Sequence, residues 1–140
     1  MGQGRLNADP DVYLNEPWMH ISWDRAHNCV LSQWKGFATS AQFRLAGMTG
    51  LQAVREKHAT GYVSDSRLIK VILHEDQMWT SETLFPMMAA AGLKRIGVVT
   101  AEAGLGKAMV DEIAVMAGDR SIRMRTFDSV VAAMQWVKDA

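Results

Sequence analysis

The chain has 140 residues, of which 49% are hydrophobic and 21% charged, a composition that is typical of globular proteins and excludes a disordered or fibrous chain. Fifteen basic residues balance fifteen acidic ones, so no net charge favours binding to nucleic acid. Cys29 is the only cysteine, which excludes an internal disulfide and favours a reducing cytoplasm.

The first segment of the chain, residues 1–10, contains no apolar stretch of the length that a secretory signal or a membrane helix needs. We expect a flexible leader there and a single domain over residues 11–140. The next segments alternate apolar and polar side chains with the period of a half-buried strand. This pattern predicts strands joined as antiparallel hairpins at residues 12–14, 19–23 and 29–34.

After Gly36 the apolar residues recur at helical spacing. Ser40 is the predicted N-cap of this helix, and Lys57 and His58 lie where it is expected to end. Two glycines, Gly47 and Gly50, each cost about 1 kcal/mol relative to alanine inside a helix. We interpret them as points where the helix lies close to a sheet, the alternative being a frayed helix.

Strands and helices alternate in the rest of the chain, which predicts crossover connections and a partly parallel sheet. Pro86 lies inside one apolar helical stretch, so a kink or a break is expected there. The predicted fold class is α/β with a mixed sheet, its later strands at residues 62–64, 96–99 and 122–127 and its later helices at 75–91, 107–117 and 130–137.

Several local motifs, together with this order of elements, resemble one known family. The motifs are Trp34-Lys35-Gly36-Phe37, Phe43-Arg44, Ser64-Asp65-Ser66-Arg67, Glu75-Asp76-Gln77 with Trp79, Phe85-Pro86, Ala91-Gly92-Leu93-Lys94-Arg95-Ile96, and Phe127-Asp128 with Trp136. They resemble the STAS-domain superfamily, and most closely the small bacterial SpoIIAA-like (anti-sigma-factor antagonist-like) proteins of mostly unassigned function. The resemblance implies a STAS-like fold and a regulatory, protein-binding role.

In the better-known antagonists of that family, a serine at the end of a strand is phosphorylated within an Asp-Ser-Ser/Thr-Gly motif. Asp65 and Ser66 begin in the same way here, whereas Arg67 and Leu68 depart from the motif. The resemblance therefore implies Ser66 as a possible phosphosite, with Arg67 as the local partner of the added charge. Ordinary turn chemistry at a strand-to-helix junction is the alternative.

The carboxyl end of a strand is also where open α/β sheets tend to bind ligands. Asp65, Ser66 and Arg67 are expected to emerge there, with Trp79 walling the same crevice. These four residues are the predicted ligand-binding or partner-binding site. A structural ion pair and a core tryptophan are the alternatives.

Motifs for metals and nucleotides are incomplete. Gly104-Leu105-Gly106-Lys107 could bind an anion, but Ala101 and Ala108 stand where a Walker A loop needs glycine and serine or threonine. His74-Glu75 begins like a zinc-protease helix, but Met78 stands where the second histidine belongs. The sequence therefore predicts neither a metal nor another cofactor.

The sequence favours a non-catalytic binding or regulatory module that acts through protein contacts, self-association or a small apolar ligand. A cluster of adaptable side chains supports such binding, with core packing as the alternative: Met78, Phe85, Met87 and Met88. The alternative function is an enzyme that uses a crevice around Asp65, Arg67 and His74. Arg123 and Arg125 alternate with apolar residues and predict a charged edge strand; neither nucleic acid nor a membrane span is predicted.

Overall fold

A computed structural model describes residues 11–101 and 122–140, which form an α/β fold around a mixed β-sheet. Within these residues the sheet has six strands, each hydrogen-bonded to its neighbours in chain order. They are β1 (Val12–Glu16), β2 (Met19–Asp24), β3 (Cys29–Trp34), β4 (Gly61–Asp65), β5 (Arg95–Val99) and β6 (Arg123–Phe127). The predicted α/β class and the mixed sheet are confirmed.

The first three strands form the predicted antiparallel hairpins. Asn28 has a φ of 51° in the turn between β2 and β3, a left-handed conformation that asparagine tolerates better than most residues. From β3 onward the neighbouring strands are parallel, and Ser32 lies directly beside Ser64 in the register. Arg123 and Arg125 are exposed on β6, the last strand of the described sheet, as the edge-strand prediction required.

Helices cover both faces of this sheet. The helix α1 (Ser40–Lys57) connects β3 to β4, and the connection from β4 to β5 contains α2 (His74–Trp79), a π-helical turn (Thr80–Leu84) and α3 (Phe85–Ala90). The helix α4 (Val130–Lys138) follows β6. No helix within residues 11–101 and 122–140 has the length and apolar character needed to cross a membrane.

The start of α1 differs by one residue from the prediction. Thr39, not Ser40, is the N-cap, because its side chain accepts a hydrogen bond from the backbone of Gln42 while the Gln42 side chain accepts one from Thr39. Ser40 instead begins the helix and turns its hydroxyl toward Asp76. The helix ends at Lys57, as predicted, and His58 follows in a left-handed conformation.

The break expected at Pro86 takes the form of the π-helical turn. Proline has no backbone N–H and cannot donate to the carbonyl four residues earlier, that of Glu82. The backbone widens just before it, and the N–H of Phe85 bonds to the carbonyl of Thr80, five residues back. The predicted helix at residues 75–91 is thus three consecutive segments.

Each face of the sheet has its own apolar core. Alternate side chains of β3 to β6 pack beneath α1, α2 and α3 in the larger core. The opposite side chains pack beneath α4 in a smaller one, whose buried members are Cys29, Val63, Val99, Ala133, Met134 and Val137.

The two glycines of α1 permit close packing. A Cβ on Gly50 would lie 2.5 Å from the Tyr62 hydroxyl on β4, which confirms a close approach to the sheet. A Cβ on Gly47 would lie 2.9 Å from atoms of Trp79 and Leu84, so that glycine instead admits the neighbouring helical segments.

Three sequence predictions lie outside the described residues. They are the flexible leader at residues 1–10, the anion-binding alternative for Gly104-Leu105-Gly106-Lys107, and the helix at residues 107–117.

Candidate ligand cavity

A cavity of about 100 Å³ lies in the larger core, between the sheet and the helices α1 to α3. Its floor is the sheet face that points toward those helices. Alternation along each strand brings the floor side chains to that one face, and they are Met19, Ser32, Trp34, Tyr62, Ser64, Ile96, Val98 and Met124.

Small residues on α1 help to leave this space open. Ala46 and Gly47 line the cavity; a larger side chain at Ala46 would extend into it, whereas one at Gly47 would meet Trp79 and Leu84. Beside them, the π-helical turn contributes Thr80 and Leu84. The Thr80 hydroxyl donates to the carbonyl of Asp76 at 2.8 Å, so its oxygen keeps lone pairs for another donor.

A segment without regular secondary structure, residues 66–73, closes one side of the cavity; we call it the covering segment. Its Ile69 and Ile72 are buried and line the cavity. Outside, Leu68 and Leu73 are about half exposed, at 57% and 49%. The Gln77 side chain donates to the carbonyl of Ile72 at 2.9 Å and so attaches the segment to α2.

Five hydroxyl groups are the polar component of the cavity wall: Ser32, Tyr62, Ser64, Ser66 and Thr80. The hydroxyls of Ser64 and Ser66 are hydrogen-bonded to each other at 3.0 Å. Burial raises the pKa of Tyr62 above its usual value, and a hydrogen bond with Ser32 opposes part of that rise. Tyr62 is therefore a neutral phenol at physiological pH.

The aromatic side chains near the cavity form a short stack. Trp34 and Phe43 line the cavity and stack with their ring centroids 5.3 Å apart. Trp79 meets Phe43 edge-on at 6.4 Å, and the Arg44 guanidinium lies 5.3 Å from the centre of the Trp79 ring. Trp79 thus packs against the lining residue Phe43 and does not itself line the cavity.

Asp65 and Arg67 form the ion pair that the sequence left as an alternative. The Arg67 Nε and Nη2 atoms donate to the two oxygens of Asp65 at 2.9 and 2.7 Å. Asp65 is 7% exposed, so this bidentate contact provides the charge partner that its burial requires. Neither residue lines the cavity.

Ser66 is the predicted site residue that reaches the cavity. Its backbone N–H bonds to the carbonyl of Val99 at 2.8 Å, which turns the side chain inward, where it is 5% exposed. A kinase would reach this hydroxyl only after the covering segment opened. Phosphorylation of Ser66 stays a prediction.

Asp76 has a role that its sequence position did not indicate. It lies in the first turn of α2, as predicted, yet it points into the protein and is 2% exposed. Ser40 and Arg44 donate to its carboxylate at 2.8 and 2.9 Å. Those partners lie more than thirty residues earlier in the chain, so no local pattern could reveal the contact.

The remaining reactive side chains lie elsewhere. His74 is exposed at the start of α2. Cys29 is buried in the smaller core, where desolvation raises the pKa of its thiol to about 12, with Asp24 adding to the rise. In the part of the chain that the structure describes, no group of three or more histidine, cysteine, aspartate or glutamate residues is placed to hold a metal ion.

Comparisons with known proteins do not assign a family. A scan against protein-family models found no match, and neither did searches of curated proteins and of solved structures. The candidate site therefore depends on the geometry of the cavity.

Proposed function

We propose that this chain is a non-catalytic binding module of STAS-like type that holds a small apolar ligand between its sheet and the helices α1 to α3. The observation that supports the proposal is the cavity of about 100 Å³ among the buried side chains of the larger core. Protein interiors contain few voids larger than a water molecule. At roughly 24 cal/mol per Å³, an unfilled space of this size costs on the order of 2 kcal/mol. A bound ligand would recover part of that free energy.

The volume limits the size of the ligand. An apolar cavity of about 150 Å³ in another protein binds benzene. The cavity here is somewhat smaller, and its walls are mainly aliphatic and aromatic side chains. A single-ring or short-chain molecule is therefore the expected size class, and the adaptable side chain of Met88 suits such a wall.

Toluene is a suitable probe for the proposed function. Ligand at ten times its dissociation constant stabilises the folded state by about 1.4 kcal/mol, which corresponds to a rise of roughly 5 °C in Tm for a chain of this length. We expect calorimetry to show this rise in the wild-type protein. An unchanged Tm over the soluble ranges of both toluene and phenol would overturn the proposal.

Two leucine variants of α1 distinguish the cavity from other binding sites. Ala46→Leu adds three carbon atoms to the cavity wall and should abolish the effect of toluene. The matched control, Ala41→Leu, places the same side chain at an exposed position of the same helix and should leave the effect intact. Equal responses in the two variants would place toluene outside the cavity.

The enzyme alternative has weaker support. Both oxygens of Asp65 are occupied by Arg67, and His74 is exposed on the surface. Contacts with other proteins and self-association stay predictions from the sequence, and they are compatible with a ligand-holding module.

A further inference from the structure

Hydroxyl groups are concentrated on one part of the cavity wall. Ser32 and Ser64 are direct neighbours on β3 and β4, and Tyr62 lies two residues before Ser64 on the same face. Ser66 adds a fourth hydroxyl through its bond to Ser64. The helical part of the wall, which includes Leu84, Phe85 and Met88, is apolar apart from the hydroxyl of Thr80. The cavity thus has a polar side and an apolar side.

The hydroxyls on the polar side retain hydrogen-bonding capacity. A serine hydroxyl carries one proton and two lone pairs. The bond between Ser64 and Ser66 uses one proton, so the other proton of that pair is left for an additional acceptor. The same holds for Ser32 and Tyr62. A hydrocarbon ligand would leave this capacity unused, which is unfavourable in a buried place.

Charge is missing from this wall. None of the described residues that line the cavity is an aspartate, glutamate, lysine, arginine or histidine. Of the buried carboxylates among the described residues, the two nearest to lining residues in sequence are engaged by arginines, Asp65 by Arg67 and Asp76 by Arg44. Transfer of an ion from water into such a cavity has no compensating partner and is strongly unfavourable.

From this geometry we infer that the ligand is a neutral molecule with a small apolar body and one hydroxyl or carbonyl group, bound with that group against Ser32, Ser64 and Ser66. The inference depends on the proposed function and adds the chemical class of the ligand. It predicts that small alcohols, phenols and ketones are better ligands than hydrocarbons, which lack the polar group, and than carboxylic acids, which are charged.

Three single-ring probes of similar shape test the inference: phenol, toluene and benzoate. Their dissociation constants are measured by calorimetric titration at pH 7, where phenol is neutral and benzoate is charged. For the wild-type protein we expect phenol and toluene to bind and benzoate to show no binding. For each probe, the dissociation constant of a variant is compared with that of the wild-type protein. This comparison is independent of the different hydration of phenol and toluene.

Ser64→Ala should raise the dissociation constant of phenol about tenfold, because a hydrogen bond is lost. It should change the dissociation constant of toluene less than twofold. Ser22→Ala is the matched control, since Ser22 lies on β2 with its side chain on the other face of the sheet, and should change neither. Ser32→Ala, with the same expected loss for phenol, replaces Ser64→Ala if the latter fails to fold.

The outcomes are distinguishable. If phenol binds equally well to wild type and to the variant lacking both Ser32 and Ser64, or if benzoate binds as tightly as phenol, the inference is wrong while toluene binding still supports the proposed function. If none of the three probes binds, both the inference and the proposed function are wrong.

Discussion

At Gly50 a single missing side chain sets the distance between α1 and the sheet. A Cβ there would lie 2.5 Å from the hydroxyl of Tyr62, a residue only 8% exposed and unable to move freely. Gly50→Ala should therefore lower the free energy of unfolding by roughly 1–3 kcal/mol through overpacking, although alanine favours the helix by about 1 kcal/mol. Urea denaturation measures the change.

The control for that substitution is Gln52→Ala, at an exposed position of the same helix, which should change stability by no more than about 0.5 kcal/mol. A Gly50→Ala protein as stable as wild type would show that α1 and Tyr62 can separate without cost.

Cys29 makes stability depend on pH at the alkaline end. Burial raises the pKa of its thiol from 9.0 to about 12 in the folded protein. Above pH 9 the unfolded thiol loses its proton while the folded one keeps it. The stabilisation that is fully present below pH 9 is therefore lost as pH rises toward 12.

Denaturant titrations across that range should show a steeper fall in stability for wild type than for Cys29→Ala. The slopes are compared, because the substitution itself alters packing. The raised pKa of Tyr62 gives both proteins a remaining alkaline slope. Parallel slopes would mean that the Cys29 thiol ionises equally well in the folded state.

At the level of the elements, the contact between Arg44 and Asp76 joins α1 to α2. Asp76 is buried and Arg44 is partly exposed. Because solvent screens the arginine and weakens the interaction, we expect a coupling free energy of about 1 kcal/mol between the two side chains. A double-mutant cycle with Arg44→Ala and Asp76→Asn, followed by urea denaturation, measures it. Additive effects would show that the two residues act independently.

Strand positions were predictable because the alternation of apolar and polar residues within a short stretch of sequence indicates a strand. The prediction for residues 29–34 coincides with Cys29–Trp34, and the others differ by one or two residues at their ends. The choice of N-cap between two adjacent residues was harder to predict. Thr39 and Ser40 are both suitable N-caps, and only the reciprocal contact of Gln42 decides between them.

At the scale of the whole molecule, the candidate cavity could not be predicted. Its wall combines single residues from strands and helices that are far apart in the chain, and no motif contains them together. Ser66 was singled out by its place at the end of a strand, but Ser32 and Ser64 were not, since a serine within a strand is as common on an exposed face. Their shared polar position emerges only from the register of β3 and β4.

The strand order has a consequence for how the protein is made. Every described strand pairs only with its neighbours in the chain, so no strand must insert between two that are already joined. The sheet can grow in the direction of synthesis as the chain leaves the ribosome. The helix α4 follows β6 and packs against β3, β4, β5 and β6. Because α4 follows β6, this helix covers the face that contains Cys29 only after all six described strands have been made, whereas α1 to α3 precede β5 and β6 on the cavity side.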